Sequence, residues 1–78
     1  MKYILFEDFS GKPSPIIFPN RIEFDEMREQ MPYTRVLGAG YVEMEGRTRC
    51  YGKATSIQAE AGEGDAEVIQ RYFAEETE

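Results

Sequence analysis

The sequence predicts an α+β fold: an antiparallel sheet of about four strands, in the order strand, strand, helix, hairpin, helix, with two helices packed on one face. Three observations predict it. Two short runs rich in aromatic and branched residues, Lys2–Glu7 and Pro15–Phe18, have strand composition. Apolar residues fall at helical spacing in Asn20–Met31 and Ala66–Ala74. Between them, Arg35–Ala54 sorts at strand period into two unlike faces around a Glu45-Gly46 turn.

Lys2–Glu7 (KYILFE) has no helix cap before it and is apolar on both sides, since Tyr3 and Leu5 oppose Ile4 and Phe6. That pattern belongs to an interior strand. Phe9–Ser14 has the Gly and Pro chemistry of a turn. Pro15–Phe18 (PIIF) reads as a shorter strand at an edge, because Pro15 has no N–H to give a ladder, and Pro19 closes it. An open edge of this kind offers a partner strand a place to pair.

Asn20–Met31 (NRIEFDEMREQM) reads as a helix. Asn20 and Glu23 have capping-box spacing, although a start two or three residues later also fits. Phe24, Met27 and Met31 make its apolar stripe, and Pro32 ends it. In the hairpin, a Met44–Gly46 loop with Gly46 left-handed sets Glu43 opposite Arg47, Tyr41 opposite Arg49, and Gly40 opposite Cys50. One face is then small: Val36, Gly38, Gly40, Val42, Thr48, Cys50, Gly52 and Ala54, suited to close approach by a helix. The other holds Leu37, Ala39, Tyr41, Glu43, Arg47, Arg49, Tyr51 and Lys53, and is expected to be mostly solvated. Gln58–Gly64 reads as a flexible loop. Asp65 is placed to cap a helix over Ala66–Ala74, whose apolar face is Val68, Ile69, Tyr72 and Phe73. Residues 1–74 form a single domain, with residues 75–78 as a disordered acidic tail.

Composition bounds the function. A chain of 78 residues has room for one modest core, supplied by a 41% hydrophobic share and ten Phe and Tyr residues. The single cysteine, Cys50, cannot form an internal disulfide and suits a reducing compartment. The first apolar run is broken at once by Glu7 and Asp8, too short for a signal-peptide core or a membrane span, so the expectation is a cytoplasmic protein with no membrane contact. A net charge of −6 disfavours nonspecific attraction to nucleic acid.

Most enzyme chemistry lacks its usual residues. There is no histidine to act as a base or zinc ligand, and Cys50 has no partner to activate it, so it reads as a small inward-facing hydrophobe. Glu60, Glu63 and Asp65 crowd one loop but lack the ligand spacing of a calcium site, and Asp25 with Glu29 suits a solvated helix face. Gly38-Ala39-Gly40 precedes no helix that could hold a phosphate, and instead marks a close approach over a strand. The expectation is a non-enzyme with no catalytic residue, no metal and no cofactor.

One constellation carries a functional expectation: Tyr41, Arg47, Arg49, Tyr51 and Lys53, aromatic rings interleaved with cations on one hairpin face. Tyr and Arg are favoured anchors at protein interfaces, for a partner or a second copy. The same set can stack single-stranded nucleic acid, which the overall charge opposes, or can simply pair across strands for stability.

The segments FPNRIEFDEM, RVLGAGYVEM, CYGKATSI and GDAEVIQRYF together resemble small bacterial and prophage-type proteins of no known activity. The resemblance spans most of the chain without a signature motif. It implies a bacterial or phage cytoplasmic accessory protein and transfers no functional residue.

Overall fold

The run KYILFE forms β1 (Lys2–Glu7), the strand around which everything else packs. The computed structural model describes residues 1–31 and 34–76. On one side β1 pairs antiparallel with β2 (Pro13–Phe18), and on the other with β3 (Arg35–Glu43). β4 (Arg49–Tyr51) completes a four-stranded antiparallel sheet of order β2-β1-β3-β4. Two helices, α1 (Phe24–Glu29) and α2 (Asp65–Glu76), pack on it. Past β4 the chain forms a small ladder of β5 (Lys53–Ala54) and β6 (Ala59–Glu60), joined by a 3-10 turn at Thr55–Ile57. The α+β class and the four antiparallel strands are as the sequence predicts.

The helices do not share a face. Ile4, Phe6, Phe18, Ala39 and Ala54 form one core with Phe24 of α1. Tyr3, Leu5 and Val42 form a second with Ile69 of α2. The expectation of two helices on one face is corrected by β1 itself, whose alternate residues are apolar on both sides. A sheet built around such a strand needs cover above and below.

Pairing also explains the prolines of β2. The Val42 N–H donates to the Met1 carbonyl (2.8 Å) and the Asp8 N–H to the Lys12 carbonyl (2.9 Å). In an antiparallel ladder these two bonds set which residues turn their backbone groups inward. Odd residues of β1 face β3 and even ones face β2, so Ser14, Ile16 and Phe18 bond to β1. Pro13, Pro15 and Ile17 then face outward, and two of these three have no N–H to offer. The strand starts two residues earlier than expected and is indeed an edge, but one blunted against strand addition.

Several boundaries move. α1 starts at Phe24, with Glu23 as an extended N-cap that makes no side-chain cap bond. The Ile22 N–H donates to the Pro19 carbonyl (3.1 Å), so the Asn20 region is a turn and the expected capping box does not form. The helix ends with Gln30 as its C-cap, and Pro32 lies outside the described residues. Where a flexible loop was expected, Gln58 sits left-handed at φ 54° and leads into β6. α2 runs to Glu76, so Glu75 and Glu76 are helical rather than a disordered tail, in keeping with the helix preference of glutamate. Thr77 and Glu78 lie outside the described residues. Among the described residues, no helix is long and apolar enough to cross a membrane.

Candidate interaction face

The hairpin loop spans Met44–Thr48, longer than expected, with Gly46 left-handed at φ 68°. Tyr41 therefore pairs with Tyr51, Val42 with Cys50, and Glu43 with Arg49. The pairing differs from the expected one by two residues. An even shift leaves each residue of the paired region on its expected face. Upstream a register shift opposite Leu5 and Phe6 pairs Phe6 with Val36, and Val36 packs on the α1 side with Ala54. Both leave the small face to which the sequence assigned them.

The face expected to be solvated is half covered. Ala39 is fully buried on the α1 side, and Tyr41 packs there edge-on against Phe24 (centroids 5.8 Å, 85°). Phe24 in turn meets Phe18 edge-on at 5.8 Å, while the Lys2 ammonium lies 4.9 Å from the Phe24 ring centroid. Lys2 is almost buried, and its Nζ donates to the Ile22 carbonyl (2.8 Å), which satisfies the charge where α1 begins.

From Tyr41 the aromatic series continues outward. The Tyr41 and Tyr51 rings stack at 5.8 Å and 24°, as directly opposed aromatic residues do across a ladder. The Arg49 guanidinium lies 5.5 Å from the Tyr51 ring and donates to Glu43 Oε2 at 2.8 Å. Both members of that ion pair are mostly exposed, so it adds at most about 1 kcal/mol of stability and chiefly orients the guanidinium. Tyr51 ends the series at 45% exposure. Of the five residues singled out in the sequence, the structure brings Tyr41, Arg49 and Tyr51 together. Arg47 stands in the hairpin loop, and Lys53 lies in the small ladder opposite Glu60.

A second polar group was not legible in the sequence. The Tyr3 hydroxyl, buried on the α2 side, donates to Asp65 Oδ2 (2.5 Å), and the Gly62 N–H donates to the same oxygen (2.9 Å). Asp65 is thus no simple N-cap. It is the first residue of α2, and its carboxylate ties the start of the helix to the central strand. Gly38 lies beneath it, where a Cβ would come 2.5 Å from Asp65 Oδ2. Burial, the hydrogen bond to Asp65 and the Asp65 charge hold the Tyr3 phenol far above its ordinary value. Burial and the Asp65 charge also push the Cys50 thiol up, while the Tyr3 hydroxyl pulls it the other way. Cys50 is half-buried, and a thiol held protonated is a poor nucleophile.

The Tyr3 shift has a pH consequence. A group whose folded-state value is raised contributes fully below its unfolded value, near pH 10, and the contribution drains away as pH climbs. Urea unfolding between pH 7 and pH 11.5 is expected to show stability falling past pH 10 with a Tyr3 slope of up to about 1.4 kcal/mol per pH unit. Tyr3→Phe should lack that component. Equal slopes in the two proteins would show that the phenol is not held neutral by the fold.

Among the described residues, no group of three or more His, Cys, Asp or Glu side chains is placed to hold a metal ion. No protein-family model matches the chain, and no similar protein is found among curated sequences or solved structures.

Proposed function

We propose that this chain is a small non-enzymatic cytoplasmic module that docks a protein partner through the Tyr/Arg face of the 35–54 hairpin. The observation that supports this reading is the state of Tyr51. Tyr51 stays 45% exposed, while the Tyr41 ring stacked on it and the Arg49 guanidinium over it hold it in place. An aromatic residue ordered before contact loses little side-chain entropy on binding, which is what makes Tyr an effective anchor. Arg47 in the hairpin loop and Lys53 in the small ladder are both exposed, and each offers donors to a partner that reaches beyond the stack.

Single-stranded nucleic acid is the second reading, favoured by the same rings and by the exposure of Arg47 and Lys53. Charge weighs against it. Glu43 already neutralises Arg49, and a phosphate-tracking surface needs several uncompensated cations on a protein whose net charge here is −6.

The test is capture from native-host lysate by wild type, Tyr51→Ala and Arg47→Glu/Arg49→Glu, with a low-salt oligonucleotide titration alongside. A defined protein is expected whose affinity falls at least about tenfold in Tyr51→Ala, as loss of an anchor residue does. Salt-sensitive oligonucleotide binding that is lost in the double variant would favour the second reading. Capture untouched by all these substitutions would place function elsewhere.

A further inference from the structure

We propose that a second copy of this chain docks on the α2 side of the molecule, each copy inserting Phe9 into a groove of the other. This surface lies across the sheet from the Tyr51 stack and does not rest on the reading given above. Phe9, at the turn between β1 and β2, is 98% exposed and touches almost nothing in its own chain. The turn that displays it is nonetheless ordered. Asp8 Oδ1 accepts from the Ser10 N–H (2.9 Å), the Ser10 hydroxyl (2.7 Å) and the Lys12 N–H (2.9 Å). The Gly11 N–H also donates to the Asp8 carbonyl (3.0 Å), with Gly11 left-handed at φ 83°. A large ring held out on an ordered turn is an unsatisfied apolar surface that binding would cover.

Beside it runs a groove of about 590 Å³ between that turn and the first turns of α2. Pro13, Val68 and Tyr72 provide its apolar lining, and Gly64 borders it without a side chain, with open space where a Cβ would stand. Its charged lining residues are Asp8 and Glu67 against Lys12 and Arg71, equal in sign count despite the acidity of the whole chain. A rim balanced in this way can meet a copy of itself without net repulsion, whereas a strongly basic or acidic ligand finds no complementary field. Asp8 and Lys12, which flank Phe9 in the turn, both line the groove, so the turn that carries the knob is also one wall of the hole. A two-fold axis closes that arrangement with both rings buried at once.

The test is sedimentation equilibrium of the full chain over a wide concentration range, at low and moderate salt. Wild type is expected to form a weak dimer that tightens with added salt, because screening the −6 charge on each copy removes repulsion and leaves ring burial intact. Two variants separate the knob from the hole. Phe9→Ser removes a ring that supports nothing in its own fold, and Gly64→Trp fills the groove from a position where a Cβ meets nothing within 4 Å. Each should raise the dimer dissociation constant by about tenfold or more, with circular dichroism and melting unchanged. An equimolar mixture of the two should recover part of the association, since the Phe9 of one can enter the open groove of the other. Tyr51→Ala should dimerise like wild type, which separates this surface from the hairpin face. A wild type monomeric at every concentration overturns the proposal. Dimers unaffected by both variants, or lost in Tyr51→Ala, overturn it equally.

Discussion

Gly40→Val is expected to destabilise the fold by about 2–3 kcal/mol, at the upper end of what overpacking costs. Gly40 lies where the chain leaving β4 crosses over β3. A Cβ there would stand 2.6 Å from the Tyr51 carbonyl oxygen, 3.3 Å from that of Gly52 and 3.4 Å from the Ala61 methyl. Two of those neighbours are backbone, and the Gly52 carbonyl is further fixed by accepting from the Ala61 N–H (3.1 Å). Nothing in that set can swing aside as a long side chain would. For a domain of this size, the loss is a large part of the total stability. Urea unfolding reads it directly. A neutral variant would mean that the crossing does not sit on Gly40.

Asp65→Ala is expected to cost about 2–4 kcal/mol, since it leaves the buried Tyr3 hydroxyl and the Gly62 N–H without their shared acceptor. The loss acts where a specific bond ties the start of α2 to the central strand. Asp65→Asn should be milder, because an amide oxygen can still accept from both donors. The measurement is again the urea midpoint of each variant. A loss under about 0.5 kcal/mol for the alanine variant would be that of an ordinary surface change, and would show that the carboxylate is not what holds the helix start down.

Much of this architecture was legible in the sequence, and the failures have identifiable causes. β1 could be read residue for residue, because four consecutive apolar residues, Tyr3 to Phe6, occupy both sides of a strand and admit few other interpretations. The face of each residue in the paired part of the hairpin was legible for a similar reason: the side-chain period is two, and an even slip in register preserves it. The register itself was not, since Met44–Thr48 has only one left-handed glycine and no short-turn dipeptide to fix the loop length. The two-sided apolar pattern of β1 already implied cover on both faces, and the one-face expectation set that signal aside. At α1, the Asn20–Glu23 spacing lost to the turn that Pro19 closes with Ile22. The bond between Tyr3 and Asp65 joins residues 62 apart in the chain, beyond the reach of any local pattern. On the candidate face, residue types were legible and their order in space was not. The Tyr41–Tyr51 stack exists only because the two are directly opposed, and Glu43 neutralises Arg49 for the same reason.

The proposed role is tested most directly by placing the photoreactive residue p-benzoylphenylalanine at Tyr51, and separately at the exposed Gln70 of α2, then irradiating the native-host cells. Mass spectrometry of the adducts at position 51 is expected to show one defined protein, absent at position 70, because the ring replaced is the one held ready for contact. No protein adduct at position 51, or the same adducts at both positions, would contradict the hairpin face as a docking surface.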